Sequence, residues 1–156
     1  MNKVELNSQE VDLPSWSGKA CNYALKVLDE INRDNWELSI LFCGNKTIAS
    51  LNNQYRYINE PTDVLSFNLG ETVQDGERTV YLPGDIVISL ETLTENAKYF
   101  KISEDEELRR LLIHGILHLD GMDHDSIEQN EPMLALQEEI LKKLNNEQII
   151  PAGGKK

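Results

Sequence analysis

Hydrophobic residues recur along the chain with two different spacings, and together these predict strands separated by helices. Short alternating stretches within residues 1–13 are typical of an edge strand. Residues 36–43 (W-E-L-S-I-L-F-C) form an apolar run between turn-forming residues, which favours a central strand. Two further strands are predicted at 64–69 and 85–89, and the second of these is rich in β-branched side chains.

Apolar residues at spacings of three and four predict helices between and after these strands. The predicted helices cover 15–33, 45–55, 90–100, a segment that begins after Ser103 and ends at Gly121, and 126–145. Ser103 and Glu106 form a capping box, which is a strong signal for a helix start. We expect Asn45 to cap the second helix, Pro61 to interrupt the segment after it, and Asp75-Gly76 to form a hairpin turn.

The order of these elements predicts the fold class. Strands interleave with helices and the chain then ends in helices, so we expect an α+β fold with a small mixed β-sheet packed with helices. The length of 156 residues suits a single domain. We expect residues 1–150 to form that domain and residues 151–156 (P-A-G-G-K-K) to form a flexible C-terminal tail.

The composition favours a cytoplasmic protein with no membrane partner. The N-terminus has no apolar segment of the kind found in signal peptides, and no apolar run approaches membrane-spanning length. Cys21 and Cys43 lie far apart and form no C-x-x-C motif, which is typical of reduced thiols in a core. The formal net charge of −12 argues against general binding to polyanions.

All three histidines of the protein fall within one short stretch, Leu111–Asp125 (L-L-I-H-G-I-L-H-L-D-G-M-D-H-D). His114 and His118 are one helical turn apart and project from the same face, at the border of the apolar stripe. A glycine at position 121 can take a positive φ, end the helix and let His124 return towards the other two. Three converging imidazoles predict a catalytic zinc site with an open fourth position, although imidazole also suits other transition metals.

The pattern H-x-x-x-H-x-x-G-x-x-H has the spacing of the metzincin proteases, but it lacks their general base. Those enzymes carry glutamate directly after the first histidine, and this chain has Gly115 there. A closed, structural zinc site is the alternative. Asp120, Asp123 or Asp125 can close the fourth position, or can accept a hydrogen bond from an imidazole N–H.

Three blocks of sequence, in this order, resemble a known family. The blocks are Leu51-Asn52 through Tyr55-Arg56 with Pro61–Phe67, then Gly84–Ser89, then His114–His124. In these blocks the chain resembles the YbeY family of bacterial rRNA maturation factors, which are zinc-dependent, single-strand-specific endoribonucleases. The chain departs from the family pattern at Asn68 and Met122, and neither residue is a predicted ligand.

The resemblance implies one zinc ion on His114, His118 and His124, and a functional arginine at Arg56, which is the candidate catalytic residue. It also implies action on the 3′ end of small-subunit rRNA and in ribosome quality control. The expected partners are single-stranded RNA and the ribosome or its assembly proteins, with no role for DNA. The planar guanidinium of Arg56 suits a phosphate, and RNA carries its own nucleophile in the 2′-hydroxyl, so the missing glutamate matters less than in a protease.

Two other functions stay open at this stage. One is a zinc hydrolase that acts on a peptide or small amide, and the other is a non-catalytic ribosome assembly factor with a structural zinc site. The acidic charge means that RNA affinity must come from the ribosome or from a local basic groove, for which Lys46, Arg56, Lys98 and Lys101 are candidates.

Three polar residues receive structural predictions. Asp85 is expected in a turn, with a polar group near the cleft as the alternative. Arg109 and Arg110 are expected on the solvated side of the histidine helix.

Overall fold

The computed structural model describes residues 1–122 and 127–151, without the side chains of 127–131. His124, Asp123, Asp125 and the tail beyond residue 151 therefore lie outside the described residues. The elements, in chain order, are β1 (Lys3–Ser8), α1 (Ser17–Glu30), β2 (Glu37–Cys43), α2 (Asn45–Arg56), β3 (Val64–Asp75), β4 (Arg78–Ser89), α3 (Leu90–Phe100), α4 (Glu104–Leu119) and α5 (Ile127–Lys143).

The four strands form one mixed sheet in the order β1-β2-β4-β3. Strand β2 runs parallel to both β1 and β4, whereas β3 pairs with β4 in an antiparallel hairpin. The predicted α+β fold with a mixed sheet is confirmed, as are the edge position of β1 and the central position of β2.

The β3–β4 hairpin is longer than predicted, because the pairing continues to the Asp-Gly turn. Asp75 pairs with Arg78 across a two-residue loop, and Gly76 has a φ of +67°, so the predicted turn is confirmed. Asp85 lies within β4, opposite Phe67, and is exposed; its assignment to a turn was wrong. A strand that begins at Arg78 leaves no turn at residue 85.

A β-bulge interrupts this hairpin opposite Pro83. The register shifts between Asn68 and Glu71, and Pro83 lies on the other strand at that point. Proline has no N–H to donate, and at a bulge the sheet does not require one. The neighbouring Gly84 has a φ of +136°, and a Cβ there would lie 1.9 Å from the carbonyl oxygen of Phe67. Only glycine fits this position, because the two strands approach too closely for a side chain.

Helices cover the two faces of the sheet unequally. Strand residues such as Ile40, Ile86 and Ile88 point to one face and form the main core with α1, α4 and the C-terminal residues Ile149 and Ile150. The other face carries a small cluster covered by α2, made of Cys43, Ile48, Leu65 and Val87. Helices α2 and α4 therefore pack on opposite faces of the sheet.

The start of α2 differs from the prediction. Gly44, rather than Asn45, is the residue before the first helical turn, and no side chain of its own can cap the helix. Two glutamates from distant elements accept the first amide hydrogens instead: Glu91 accepts from Asn45 at 2.7 Å and Glu10 from Thr47 at 2.8 Å. Carboxylates at this position also favour the positive end of the helix dipole.

Arg109 is largely buried, so its prediction as a solvated residue was wrong. Its Nε donates to the Asp105 carboxylate at 3.0 Å, and both side chains are little exposed. Asp105 also accepts the backbone N–H groups of Ile149 and Ile150, at 2.7 and 2.9 Å. The pair therefore anchors the C-terminal segment to α4, which explains why a charged residue is tolerated inside.

The structure bears on two of the sequence predictions, those on the cysteines and on membrane-spanning segments. Both cysteines are free thiols, with Cys43 buried and Cys21 half-buried. Across the described residues, none of the helices combines the length and the apolar character that crossing a bilayer requires.

Helix α4 approaches the sheet most closely at Gly115. A Cβ on this residue would lie 2.9 Å from Cδ1 and 3.0 Å from Cγ2 of Ile86, whose side chain is fully buried in the core. Glycine therefore allows the helix to contact β4 directly. The position after His114 lacks a general base, and any side chain there would also push the helix away from the sheet.

We predict that Gly115→Ala lowers the free energy of unfolding by about 1–3 kcal/mol, because the added methyl group overpacks the core against Ile86. Urea denaturation followed by circular dichroism measures this change. The matched control is Gly18→Ala in α1, where a Cβ meets no atom within 4 Å. That substitution should stabilise the protein by up to about 1 kcal/mol through helix propensity. Equal effects of the two substitutions would contradict the packing explanation.

Candidate metal centre and adjoining cleft

Helix α4 carries the site, and its two ends are defined by side-chain and backbone caps. The hydroxyl oxygen of Ser103 accepts the N–H of Glu106 at 3.0 Å, as the sequence predicts. At the other end the N–H of Gly121 donates to the backbone carbonyl oxygen of His118 at 3.1 Å. The N–H of Met122 donates to the backbone carbonyl oxygen of Leu117, also at 3.1 Å. These two bonds form a Schellman motif, with Gly121 at a φ of +98°. The predicted helix end is confirmed.

His114 and His118 lie together on one face of α4. Their ring centroids are 6.4 Å apart, and their ring planes are parallel to within 6°. Both side chains are half-buried, which matches the predicted position at the border of the apolar stripe. The structure thus brings two of the three predicted ligands together, and the third, His124, lies outside the described residues. Within the described part of the chain, no three His, Cys, Asp or Glu side chains are grouped to hold a metal.

A chain of hydrogen bonds leads away from His114 to α5 and back to α4. The His114 Nδ1 lies 2.8 Å from Oε1 of Gln137, and Nε2 of Gln137 donates to Glu138 at 3.2 Å. Arg110 then binds both carboxylate oxygens of Glu138, at 2.8 and 3.0 Å, and also donates to Glu106 at 3.0 Å. Arg110 is therefore partly buried and bound on both sides, by carboxylates that are themselves partly exposed.

These ion pairs change the acidity of their members in the expected directions. The hydrogen bond from Arg110 lowers the pKa of Glu138, against the opposing effect of partial burial. The hydrogen bond to Glu138 in turn raises the pKa of Arg110, and Glu106 adds to the effect. A bidentate arginine–carboxylate pair of this kind holds a fixed geometry.

A cleft of about 440 Å³ opens beside His114. Its polar lining consists of Asp63, Glu106, Glu107, Arg110, His114 and Gln137. Glu107 is only 5% exposed. Burial raises the pKa of the Glu107 carboxyl, nearby Asp63 raises it further, and Arg110 partly opposes the change. Arg110 is the basic residue among the described lining residues, and its charge is balanced by Glu106 and Glu138.

Asp120, which directly follows α4, is engaged elsewhere. Its two carboxylate oxygens accept from Nε and Nη2 of Arg33, at 2.6 and 3.1 Å. The guanidinium of Arg33 also lies 5.9 Å from the ring centroid of Trp36. Of the three aspartates considered as a fourth ligand, Asp120 is the one within the described residues, and this ion pair holds its carboxylate.

Arg56 is not part of the His114 cleft. It is the last residue of α2, on the opposite face of the sheet from α4, and its side chain is exposed. Among the described residues it makes no hydrogen bond or ion pair. Lys46, Lys98 and Lys101 are exposed as well, and none of the three lines the cleft. None of the four candidates for a basic groove therefore lines the His114 cleft.

Next to Arg56 in the sequence, Tyr55 forms an aromatic pair that lines a second groove, on the face of the sheet that carries α2. The rings of Tyr55 and Phe67 meet edge to face, with centroids 5.1 Å apart. With Asp85 and Val87 they line a groove of about 400 Å³. The sequence block that contains Arg56 thus contributes to both sites: Leu51, Tyr55 and Phe67 line this groove, and Asp63 and Val64 line the His114 cleft.

Sequence reasoning missed Gln137, which contacts His114 directly. One signal was available: position 137 falls on the apolar stripe of α5, four residues after Met133 and four before Leu141, both of which are buried. A polar side chain on such a stripe requires a buried hydrogen-bond partner. Its partner in α4 follows only from the packing of the two helices.

Comparison with known proteins identifies the family. The sequence profile described as endoribonuclease YbeY matches residues 2–145. A protein of that name from Treponema denticola is 47% identical over 129 residues, which are 82% of this chain and 83% of the relative. The protein of the same name from Borrelia turicatae is 42% identical over 145 residues, which are 91% of this chain and 96% of that relative. The chain belongs to the endoribonuclease YbeY family. The resemblance noted in the sequence is confirmed.

The YbeY family match spans nearly the whole chain, and so does the fold similarity. The solution structure of TM1509 from Thermotoga maritima superposes with a TM-score of 0.61 at 25% identity, and the alignment covers 97% of this chain and 96% of that one. The matched residues 2–145 include Arg56 and all three histidines.

We predict that Glu107→Gln stabilises the fold at neutral pH. Because the folded-state pKa of Glu107 lies above its ordinary value of 4.5, stability falls as pH rises through the window between the unfolded and folded values. Glutamine removes that cost, so the gain should be present at pH 7 and absent at about pH 3, below both values. Urea denaturation at the two pH values measures it.

The matched control for Glu107 is Glu104→Gln, in the same first turn of α4 but exposed. The free energy of unfolding of this variant should differ from that of the wild type by no more than about 1 kcal/mol, which is the usual contribution of a charge at a helix terminus. Destabilisation by Glu107→Gln at pH 7 would show that the ionised carboxylate has a stabilising partner in the cleft.

Proposed function

We propose that this protein is a zinc-dependent endoribonuclease that cleaves single-stranded RNA. The proposed substrate is the 3′ end of small-subunit (16S) rRNA, in rRNA maturation and ribosome quality control in the cytoplasm. The observation that carries the proposal is the parallel pair of His114 and His118 on α4, in a chain that belongs to the endoribonuclease YbeY family. His124 is the proposed third ligand.

The donor set suits zinc. Neutral imidazoles are common zinc ligands, and a hydrogen-bond acceptor on the second ring nitrogen, as Gln137 provides for His114, is typical of histidines that bind metal. Zinc in such a site polarises a phosphoryl oxygen and lowers the pKa of a bound water. The half-buried rim position lets α4 hold the histidines rigidly while a substrate still reaches them from solvent.

Gly115 supports phosphodiester rather than peptide cleavage. Peptide hydrolysis at this motif needs the glutamate base that Gly115 replaces, and the contact with Ile86 leaves no room for one. RNA supplies its own nucleophile in the 2′-hydroxyl, so the reaction needs no activated water at that position. The chain's own residues then act mainly by holding the ligands and orienting the phosphate.

Arg56 is proposed to bind a phosphate of the RNA strand. Its side chain is exposed at the C-terminal end of α2, and no partner within the described residues neutralises it. An arginine in this position adds affinity for the strand rather than stabilisation of the reacting phosphate. With a net charge of −12, much of the remaining affinity is proposed to come from ribosomal or assembly-protein contacts.

We expect the purified protein to cleave single-stranded RNA and to leave a generic peptide intact. A chelator should abolish the RNA cleavage, and added zinc should restore it. His114→Ala and His118→Ala should each lose cleavage while keeping the wild-type circular dichroism spectrum, because each removes a metal ligand.

Unchanged RNA cleavage by the His114→Ala protein would identify a contaminating nuclease and contradict the proposal. Normal rRNA maturation in cells that carry this variant, but not in a deletion strain, would favour a non-catalytic assembly factor.

The chemical nature of the RNA ends distinguishes the two nucleophiles. We expect a 2′,3′-cyclic phosphate on the upstream product and a 5′-hydroxyl on the downstream product, because the 2′-hydroxyl is adjacent to the scissile phosphate and can displace the 5′-oxygen from it. Mass spectrometry of the products measures this directly. A 5′-phosphate on the downstream product would instead indicate attack by water and require a base elsewhere in the cleft.

Arg56→Glu should raise KM for single-stranded RNA by about 10-fold or more and leave kcat nearly unchanged, because it reverses a charge that contacts only the bound strand. Lys19→Glu in α1, another exposed cation, is the matched control and should change neither constant strongly. A large loss in kcat with unchanged KM would place Arg56 at the reacting phosphate in the RNA complex.

A further inference from the structure

A buried glutamine holds one imidazole of the candidate metal centre. Gln137 is 5% exposed, and its Oε1 lies 2.8 Å from Nδ1 of His114. The two residues are 23 positions apart in the chain and meet because α5 packs against α4. A buried amide needs partners for both its oxygen and its nitrogen, so the identity of each partner decides how the amide is turned.

The second partner determines the orientation of the amide. The other end of the Gln137 side chain lies 3.2 Å from a carboxylate oxygen of Glu138, which can only accept a hydrogen bond. The NH₂ group must therefore face Glu138, and the amide oxygen must face His114. Glu138 is itself held by two hydrogen bonds from Arg110, at 2.8 and 3.0 Å, so it is not free to turn away.

The orientation of the amide decides the tautomer of His114. An amide oxygen carries lone pairs and no hydrogen, so the bond at 2.8 Å requires the proton of the neutral ring to sit on Nδ1. The lone pair of that ring is then on Nε2. Metals bind the nitrogen that carries the lone pair, and the hydrogen bond made by the other nitrogen selects it.

We propose that Gln137 is a positioning residue that fixes His114 as the Nδ1–H tautomer and so presents Nε2 to the metal, with Arg110 and Glu138 fixing Gln137 in turn. The inference rests on the proposed metal site, but its first consequence concerns the metal-free protein. The ion pair between Arg110 and Glu138, which are 28 residues apart in the chain, prevents the Gln137 amide from turning over.

Nitrogen-15 NMR of the imidazole rings in metal-free protein tests the tautomer directly. At about pH 8, where histidine is neutral, the wild type should show His114 protonated on Nδ1. Gln137→Met keeps the length of the side chain and removes the acceptor, so a substantial population of the Nε2–H form should appear. Gln137→Glu keeps an acceptor oxygen and should retain the wild-type tautomer.

Zinc affinity, measured by competition with a chromophoric chelator, is the second readout. Gln137→Met should bind zinc about 10- to 100-fold more weakly, the usual effect of removing such a partner, and Gln137→Glu should stay much closer to wild type. Gln148→Met is the matched control. Its amide donates to the carbonyl oxygen of Ile150, away from the histidines, and its loss should leave the affinity unchanged.

The outcomes separate this inference from the proposed function. A Gln137→Met protein with the wild-type tautomer and wild-type zinc affinity would overturn the positioning role. A wild-type protein that binds no zinc would overturn the proposed metal site, while the metal-free spectra would still decide the tautomer. If Gln137→Met does not fold, Glu138→Ala replaces it: this half-exposed residue orients the amide, so its loss should produce a mixture of His114 tautomers. An unmixed Nδ1–H form in that variant would overturn the role of Glu138.

Discussion

The direct contact between α4 and the sheet is the constraint on which the rest of the molecule depends. At Gly115 the helix backbone meets Ile86 with no space for a side chain. This contact sets the depth of α4, which is buried along most of its length between α1, α3, α5 and the sheet. A helix held so firmly is a suitable support for ligands, because the positions of His114 and His118 then follow from the core rather than from a loop.

The same helix explains how charged groups are tolerated near the core. Asp105 is satisfied by Arg109 and two amides of the C-terminal segment, and Arg110 bridges Glu106 and Glu138. Glu107 differs from these, because burial raises its pKa and no comparable pair compensates.

The excess of negative charge limits the affinity for RNA that the chain itself supplies. The cleft beside His114 contains three carboxylates, and its arginine is neutralised, so it offers little general attraction for RNA. The aromatic pair of Tyr55 and Phe67 lines a second groove, on the face of the sheet that carries α2. In the proposed ribonuclease, partners on the ribosome would supply the affinity that the chain lacks.

Much of this protein follows from local rules that the sequence states directly. The capping of α4 at Ser103, its end at Gly121 and the common face of His114 and His118 depend on residues within a few positions of one another, and so do the mixed strand and helix pattern and the Asp-Gly turn. Contacts between distant segments follow no such rule. The partnership of His114 with Gln137 and the burial of Arg109 were decided only when the helices packed together on the sheet. Periodicity tells which face of an element is apolar, but only tertiary packing determines which polar residue meets another across the interface.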